Sequence, residues 1–352
     1  MLTKEDLSII IATYNRPKDI NRTLKCIKKN GNIPKYIFVI DQSIDNETRN
    51  IVKRYSKYFN VKYIFSSIPS SSIAKNIGIV KSKKVGAKLI YIVDDDVGLR
   101  EGCLDKVIKE FNSHPEVMGV TAADVSEKNN FNSFFYRINK AFLRFFFLPI
   151  KENHKFRMLG PYGNTGSPII KIPIRDAEWL PGFNMCYRSS VFSDYKLPES
   201  LGYNVLEDID SSYYVFKKFG SGSLVILPSG LSYHRFSKKA RYAEKKRIFV
   251  NHVDHFYFYY KYFKTPIGTL KLFWSIIGII LGNFIRFLFN PQKKNYFLLK
   301  YNLEAIFYSF KNREKIRNGK LREFLNKDLS MKEKYYSERP KFFPAVFLFS
   351  RI

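Results

Sequence analysis

The chain has 352 residues, 45% of them hydrophobic, with 33 Phe, 24 Tyr and a formal charge of +29. That length supports one large domain with an appendage, or two domains, and the three widely spaced cysteines, Cys26, Cys103 and Cys186, exclude a disulfide framework or a zinc-binding spacing. The charge is concentrated in residues 217–352, with 28 Lys and Arg against 8 Asp and Glu, a surface suited to anionic lipid headgroups, nucleic acid or a phosphorylated ligand.

Taken in order, Met1 to Asp6 lead into the first strand without an apolar signal core, so the chain is expected to stay in the cytoplasm. Leu7 to Ala12 is an apolar run ending at Thr13-Tyr14-Asn15-Arg16-Pro17, where Asn and Pro open a helix over 17–29 with Ile20, Leu24 and Ile27 at helical spacing. Strands are predicted over 36–40, 61–65 and 89–93, and helices over 47–58 and 70–80, the second capped by Ser70. Strands separated by helices of about ten residues predict an α/β fold with a parallel sheet and right-handed crossovers.

Three polar clusters follow directly after strands: Tyr14-Asn15-Arg16, Asp41-Gln42-Ser43 and Asp94-Asp95-Asp96. All are expected at the carboxyl edge of the sheet, where open α/β folds bind ligands. Leu89 to Val93 reads as a strand buried on both faces. Three carboxylates at its end cannot share that burial, because an unpaired charge in the interior costs several kcal/mol. They face water as an acidic turn, pair with cations, or hold a metal. No Gly-x-Gly-x-x-Gly follows the first strand and no P-loop motif occurs, so dinucleotide-oxidoreductase and P-loop readings lose support. Asp41 accepting from a base or ribose, with a metal at the triple Asp neutralising a diphosphate, would make a nucleotide-diphosphate site.

The order of motifs resembles the inverting family 2 glycosyltransferases of the GT-A fold. Ser8 to Arg16 resembles the family's opening strand and turn, and Val39 to Asp45 its second motif. Ala74-Lys75-Asn76-Ile77-Gly78 is similar to its Ala-Arg-Asn-x-Gly segment, with Lys in place of Arg. Asp94-Asp95-Asp96 falls where the family has its metal-binding Asp-x-Asp, Gly182 to Arg188 resembles its acceptor-side Gly…Arg segment, and Glu207-Asp208 the Glu-Asp that carries its base. The resemblance covers roughly residues 7–236.

It implies a nucleotide-sugar-dependent transferase with a mostly parallel sheet flanked by helices. Donor contacts would come from Thr13, Tyr14, Asn15, Arg16, Asp41, Lys75, Asn76, Asp94 and Asp95, and acceptor contacts from Trp179, Gly182 and Arg188. Asp94 and Asp96 would hold Mn²⁺ or Mg²⁺, ions suited to oxygen ligands and water, with His234 either completing that set or standing apart from it. Charge develops on the leaving diphosphate, which a divalent cation stabilises, and inversion in one displacement needs a base for the acceptor hydroxyl. That base is expected to be Asp208, with Glu207 and Asp210 as alternates. The implied partners are a nucleotide-sugar donor and a glycan or lipid-linked glycan acceptor.

Several of these residues have a plainer reading. Glu207 to Asp210 also suits the acidic first turn of a helix, Lys75 a solvated helix face, and Trp179 ordinary packing. His252 and His255 have i, i+3 spacing but no further ligands, which favours a helix face over zinc. His114 and His154 read as surface residues.

Phe131 to Ile150 is expected to be either an amphipathic helix touching a membrane or a lid, and 160–168 a loop. Leu224 to Leu227 reads as a strand. Residues 237–247 are basic and 256–263 nearly all aromatic, and Leu272 to Ile285 lacks charge between Lys271 and Arg286. A span needs about 20 apolar residues, so an interfacial or re-entrant helix pair on an anionic membrane surface is expected, with a buried helical subdomain as the alternative. Beyond Lys311 a basic amphipathic helix and then loop are predicted. The expected organisation is a catalytic domain over 1–236, its donor half about 1–100 and acceptor half about 101–236, followed by a basic helical region over 237–352 at the cytoplasmic membrane face. Nucleic-acid binding rests on charge alone without a recognised motif. The sequence shows no Gln-x-x-Arg-Trp-type segment after the expected base and no tandem long spans, so a single-addition transferase is expected over a processive synthase.

Overall fold

A computed structural model describes residues 1–124, 134–152, 155–166, 170–199, 206–237 and 244–319. Its strands are β1 (Leu7–Thr13), β2 (Tyr36–Asp41), β3 (Val61–Phe65), β4 (Leu89–Val93), β5 (Val97–Leu99), β6 (Gly119–Ala122), β7 (Ile150–Lys151), β8 (Thr165–Gly166), β9 (Asn184–Arg188), β10 (Leu224–Leu227) and β11 (Ser232–His234). Seven form the central sheet, in the order β10-β6-β9-β4-β1-β2-β3. Every neighbouring pair is parallel except those made by β9, which runs antiparallel to both β4 and β6. β5 and β11 make a short antiparallel ribbon, and β7 pairs with β8.

The period of two in the strands sorts the core. Ile9 and Ile11 of β1 join a cluster with Ile20, Leu24 and Ile27 of α1 (Pro17–Lys29), Ile51 of α2 (Glu47–Tyr55) and Val107 of α4 (Cys103–Ser113). Ile10 points the other way, toward Ala74 and Ile79 of α3 (Ser71–Lys84) and into the cluster holding Val215 of α6 (Glu207–Phe219). Both faces of the sheet are thus covered, which is why β1 and β4 read as continuous apolar runs. Each such side chain, fully buried, contributes about 1.5–3 kcal/mol.

The C-terminal helices build a separate apolar cluster. α7 (Glu244–Phe258) runs through a π-helical turn, Tyr259–Phe263, to α8 (Pro266–Phe289), α9 (Lys293–Lys311) and α10 (Arg313–Arg317). Pro266 opens α8 and Thr265 caps it, its side chain accepting from the Gly268 amide at 3.0 Å. α5 (Phe134–Phe145) belongs to this group: Leu143 and the adjacent Phe146 share its cluster with Leu272 and Ile276, and Trp274 of α8 donates to the Phe145 carbonyl. Of the two expectations for 131–150, the described part therefore packs on the C-terminal helices. α8 is long and apolar enough to cross a membrane by length and composition, although 39% of its most apolar window is buried in the protein.

His252 and His255 are core residues. His252 bonds Tyr162 and Asn302 at 2.6 and 2.9 Å, and His255 bonds the Pro161 carbonyl at 2.8 Å. Burial lowers their pKa values to about 4 and about 3, so both are neutral. His154, residues 131–133, 167–168 and 238–243, and the tail from 320 lie outside the described residues.

Candidate functional site

The carboxyl edge of the parallel strands gathers Thr13, Asp41, Asp94 and the Ala122 end of β6, and because β9 is reversed its first residue, Asn184, arrives at the same edge opposite Val93. Asn184 is fully buried and closes the seam. Its amide bonds the Ala122 backbone on both sides at 2.9 Å, and its oxygen accepts from Tyr91 at 2.9 Å.

The three aspartates leave β4 in three different environments. Asp94 is half-buried, with its amide bonded to the Phe183 carbonyl and Oδ1 3.7 Å from Lys75 Nζ. Asp95 is buried and turned beneath β1, where it accepts from Thr13 Oγ1 at 2.7 Å and from Arg16 Nη1 at 3.1 Å. Burial pushes its pKa up to about 7 against the pull of Arg16. Asp96 accepts from the Ser237 amide at 2.6 Å and meets His234 Nε2 at 2.8 Å. Burial alone would raise its pKa; the His234 bond and charge outweigh that and bring it to about 2.

Asp94, Asp96 and His234 each offer a ligand atom within 4.8 Å of the others, the one such cluster among the described residues. Two hard oxygen donors and one imidazole fit Mn²⁺ or Mg²⁺ completed by water. The imidazole is held by its stacking on Phe183 and Phe236, and its backbone amide donates to Asp124 at 3.0 Å.

The acidic cluster at the start of α6 is equally differentiated. Glu207 is buried, accepting from Ser71 and Ser72 at 2.9 Å each and from Lys75. Lys75 is buried too. Burial would lower its pKa, but Glu207 and Asp94 hold the ammonium well above its ordinary value. Asp210 is buried against Tyr195 Oη at 2.6 Å and Lys261 Nζ at 2.7 and 2.8 Å, so both its oxygens are taken. Asp208 differs from both. Its Oδ1 accepts only the Ile209 amide among the described hydrogen bonds, at 2.8 Å, and burial raises its pKa to about 6. It abuts Gly182, where an added Cβ would lie 2.6 Å from Asp208 Cβ and Oδ2.

Tyr14 and Asn15 are exposed at the edge, Asn15 with φ +54° and its amide on Ser43 Oγ at 2.7 Å. Asp41 is fully buried below them, accepting from Ser43 at 2.6 and 3.0 Å and from Tyr63 at 3.1 Å. The Asn76 side chain is occupied by protein partners, bonding both Leu197 backbone groups and Glu199. Trp179 packs on Phe156 and donates to the Thr165 carbonyl at 2.9 Å.

Arg188 corrects the sequence reading outright. It pairs with Leu89 at the amino end of β4, the length of a strand away from the aspartates, and its guanidinium donates to the Val117, Phe111 and His114 carbonyls. It is a staple of the far edge and not an acceptor contact. Arg188→Ala is expected to cost about 1–3 kcal/mol through its orphaned carbonyls, measured by urea unfolding, with ligand binding at the aspartate edge unchanged.

Four supporting residues escaped the sequence reading. Thr23 Oγ1 lies 2.7 and 2.8 Å from the Asp95 and Val97 carbonyls, Ser237 donates to Asp96, Asp124 holds the His234 amide, and Lys261 grips Asp210. Asp124 stands just after β6, the same position relative to its strand that flagged the other clusters. Nothing in the sequence marks Lys261.

Residues 8–165 match the family described as Glycosyl transferase family 2. A 114-residue stretch is 28% identical to the poly(ribitol-phosphate) beta-N-acetylglucosaminyltransferase TarP of Staphylococcus aureus, covering 30% of this chain and 34% of that one. Among solved structures, S. aureus TarS gives a TM-score of 0.49 at 16% identity, over 91% of this chain and 50% of that one. The mannosyltransferase PcManGT of Pyrobaculum calidifontis, in complex with GDP-Man and Mn²⁺, gives 0.49 at 15% over 94% and 89%. The matches thus span about a third of TarP and half of TarS.

Proposed function

We propose that this chain, whose residues 8–165 belong to glycosyl transferase family 2, transfers a sugar from a nucleotide-diphosphate donor to a hydroxyl of a glycan or lipid-linked glycan, with inversion. The observation that carries the reading is the division among acidic groups. Glu207 and Asp210 have their oxygens engaged, whereas among the described hydrogen bonds none engages Asp208 Oδ2, which lies beside Gly182, and the Asp208 pKa is about 6. A carboxylate of that basicity is ionised at neutral pH yet accepts a proton in a transition state. Asp94, Asp96 and His234 would hold Mn²⁺ or Mg²⁺, which when bound supplies positive charge to the leaving diphosphate. Exposed Tyr14 and Asn15 offer a face for the donor's base and ribose, with Asp41 fixing their turn through Ser43.

We assign the catalytic unit to about residues 1–236, with 237–352, helical in its described part, as an appendage at the cytoplasmic membrane face. The nucleic-acid and processive-synthase readings are not favoured: the first rests on charge alone, and the family assignment accounts for the acidic edge.

The test is a panel of nucleotide sugars offered with a glycan acceptor. Nucleotide release with at least one donor is expected, abolished by chelation and restored by Mn²⁺, and NMR of the product should show the inverted anomer. Silence across the panel with metal present would overturn the proposal. Gly182→Ala is expected to lower turnover by about 10²-fold, the effect of misplacing a reacting group by about 1 Å. Its unfolding free energy should fall by only about 1–3 kcal/mol, which steady-state kinetics and urea titration would check.

A further inference from the structure

One face of α8 is turned into the protein and, among the described residues, the opposite face is exposed. Leu272, Ile276, Ile279 and Asn283 are buried, whereas Leu270, Phe273, Ile277, Leu281, Phe284 and Leu288 are between 39% and 65% exposed. Steps of three and four residues keep these on one stripe, and no charge interrupts it. Contacts of Phe287 with Tyr296 and of Phe273 with Phe310 lay α9 alongside, and α9 exposes Tyr296, Leu303 and Phe307. A contiguous apolar surface of this kind is one that something covers.

The rim indicates what. Lys264 precedes α8, Lys293 and Lys294 open α9, and Lys311 closes it, all exposed, while Glu304 is the only acidic residue between 264 and 311. A basic rim around an apolar stripe complements anionic headgroups over acyl chains. Crossing the bilayer fits poorly. The charge-free run 272–285 is 14 residues, or about 21 Å of helix against a hydrocarbon core of about 30 Å. The inward face of α8 is also committed: Gly278 lies so close to Phe146 that a Cβ there would sit 2.4 Å from its Cβ, and Lys271 Nζ lies 5.0 Å above the Phe147 ring.

We propose that α8 and α9 dock side-on against an anionic bilayer, the stripe sunk among acyl chains and the lysine rim among headgroups, and that α8 does not cross. This deepens the membrane-face reading above and needs no sugar donor, so its failure is separable from failure of the transferase assignment.

The full chain, without nucleotide, would be floated with vesicles of phosphatidylcholine alone or mixed with phosphatidylglycerol. Binding is expected to the mixed vesicles and to weaken in high salt. Leu270→Asp/Ile277→Asp/Phe284→Asp should reduce partitioning by at least about tenfold with unchanged circular dichroism. If that variant does not fold, Lys293→Gln/Lys294→Gln should weaken binding to anionic vesicles only. Depth is read from a bimane on Leu270→Cys, Ile277→Cys or Phe284→Cys, the three native cysteines being buried, with nitroxide-labelled lipids as quenchers. Equal shallow depths at all three support side-on docking. A bilayer-centre depth at 277 alone means a crossing helix and overturns the proposal. So does absence of vesicle binding with a dimer in sedimentation, which would make a second copy the cover.

Discussion

Asp208→Asn is expected to lower turnover by about 10²–10⁴, the range for losing a positioned base, with nucleotide-sugar binding by calorimetry nearly unchanged. The substitution keeps the size and the Ile209 contact and removes only the ability to take a proton. The pH profile provides the second check. The raised pKa of about 6 comes mainly from burial, with Glu207 adding to it and the Ile209 amide and Lys75 opposing. The reaction needs the ionised form, so kcat/KM of the unsubstituted enzyme falls tenfold per unit once the pH drops below about 6, and that limb disappears in the Asn variant. Stability moves the opposite way. A carboxyl whose folded pKa lies above its unfolded one favours the fold when protonated, so acidification from about 6 toward 4 strengthens the fold at this residue while silencing it. If Asp208→Asn keeps full turnover and Glu207→Gln does not, the base assignment passes to Glu207.

Lys75→Met is expected to destabilise the protein by about 3–5 kcal/mol, the cost of stranding a buried partner charge. Lys75 and Glu207 are 4% and 5% exposed and contact each other directly, while Asp94 stands 3.7 Å from the same ammonium. Without that cation, the buried carboxylate of Glu207 on α6 and the half-buried one of Asp94 after β4 face one another uncompensated. Lys75→Met/Glu207→Met should recover most of the loss, because removing both charges of a buried pair is often neutral. Urea unfolding decides it. A loss of about 1 kcal/mol or less would be that of an exposed pair, and would mean that water reaches Lys75.

The parallel part of the sheet was legible in the sequence because β1, β2 and β4 are mainly apolar runs that end in polar residues, and those endings foretold a shared edge, whereas β6, Gly-Val-Thr-Ala, is too short and mixed to stand out. The same logic failed at Arg188. Gly182 to Arg188 reads as one motif, but it contains a whole strand, and five residues of strand carry the chain roughly 17 Å. Its glycine therefore stands at the aspartates and its arginine at the opposite edge. No local pattern announces that β9 is reversed or lies between β4 and β6. Pairings such as Lys75 with Glu207, or Asp210 with Lys261, join segments whose separation has no period to read. The triple aspartate was found, and its division into a pair facing His234 and one residue facing Thr13 and Arg16 required the turn geometry.

The reversal of β9 also ties the segment before Gly182 to the strands that carry the aspartates. Thr13 and Asp41 end their strands and Asp94 directly follows its own, and the parallel register fixes the three exits together. Gly182 precedes a strand entrance, held by the pairing of Val93 with Asn184, by the Asp94 amide on the Phe183 carbonyl and by the Asn184 side chain on Ala122. Residues 170–181 upstream of that entrance are keyed to the same strands: Ile170, Ile174, Ala177 and Leu180 share a core cluster with Ile10, Ile40 and Ile92, and Ile174 exchanges both backbone hydrogen bonds with Ile226 of β10. The two sides of the edge therefore form one joint: a chimera that swaps 170–181 is expected to lose unfolding free energy in a urea titration, because the exchanged apolar residues also cover the inner face of the sheet.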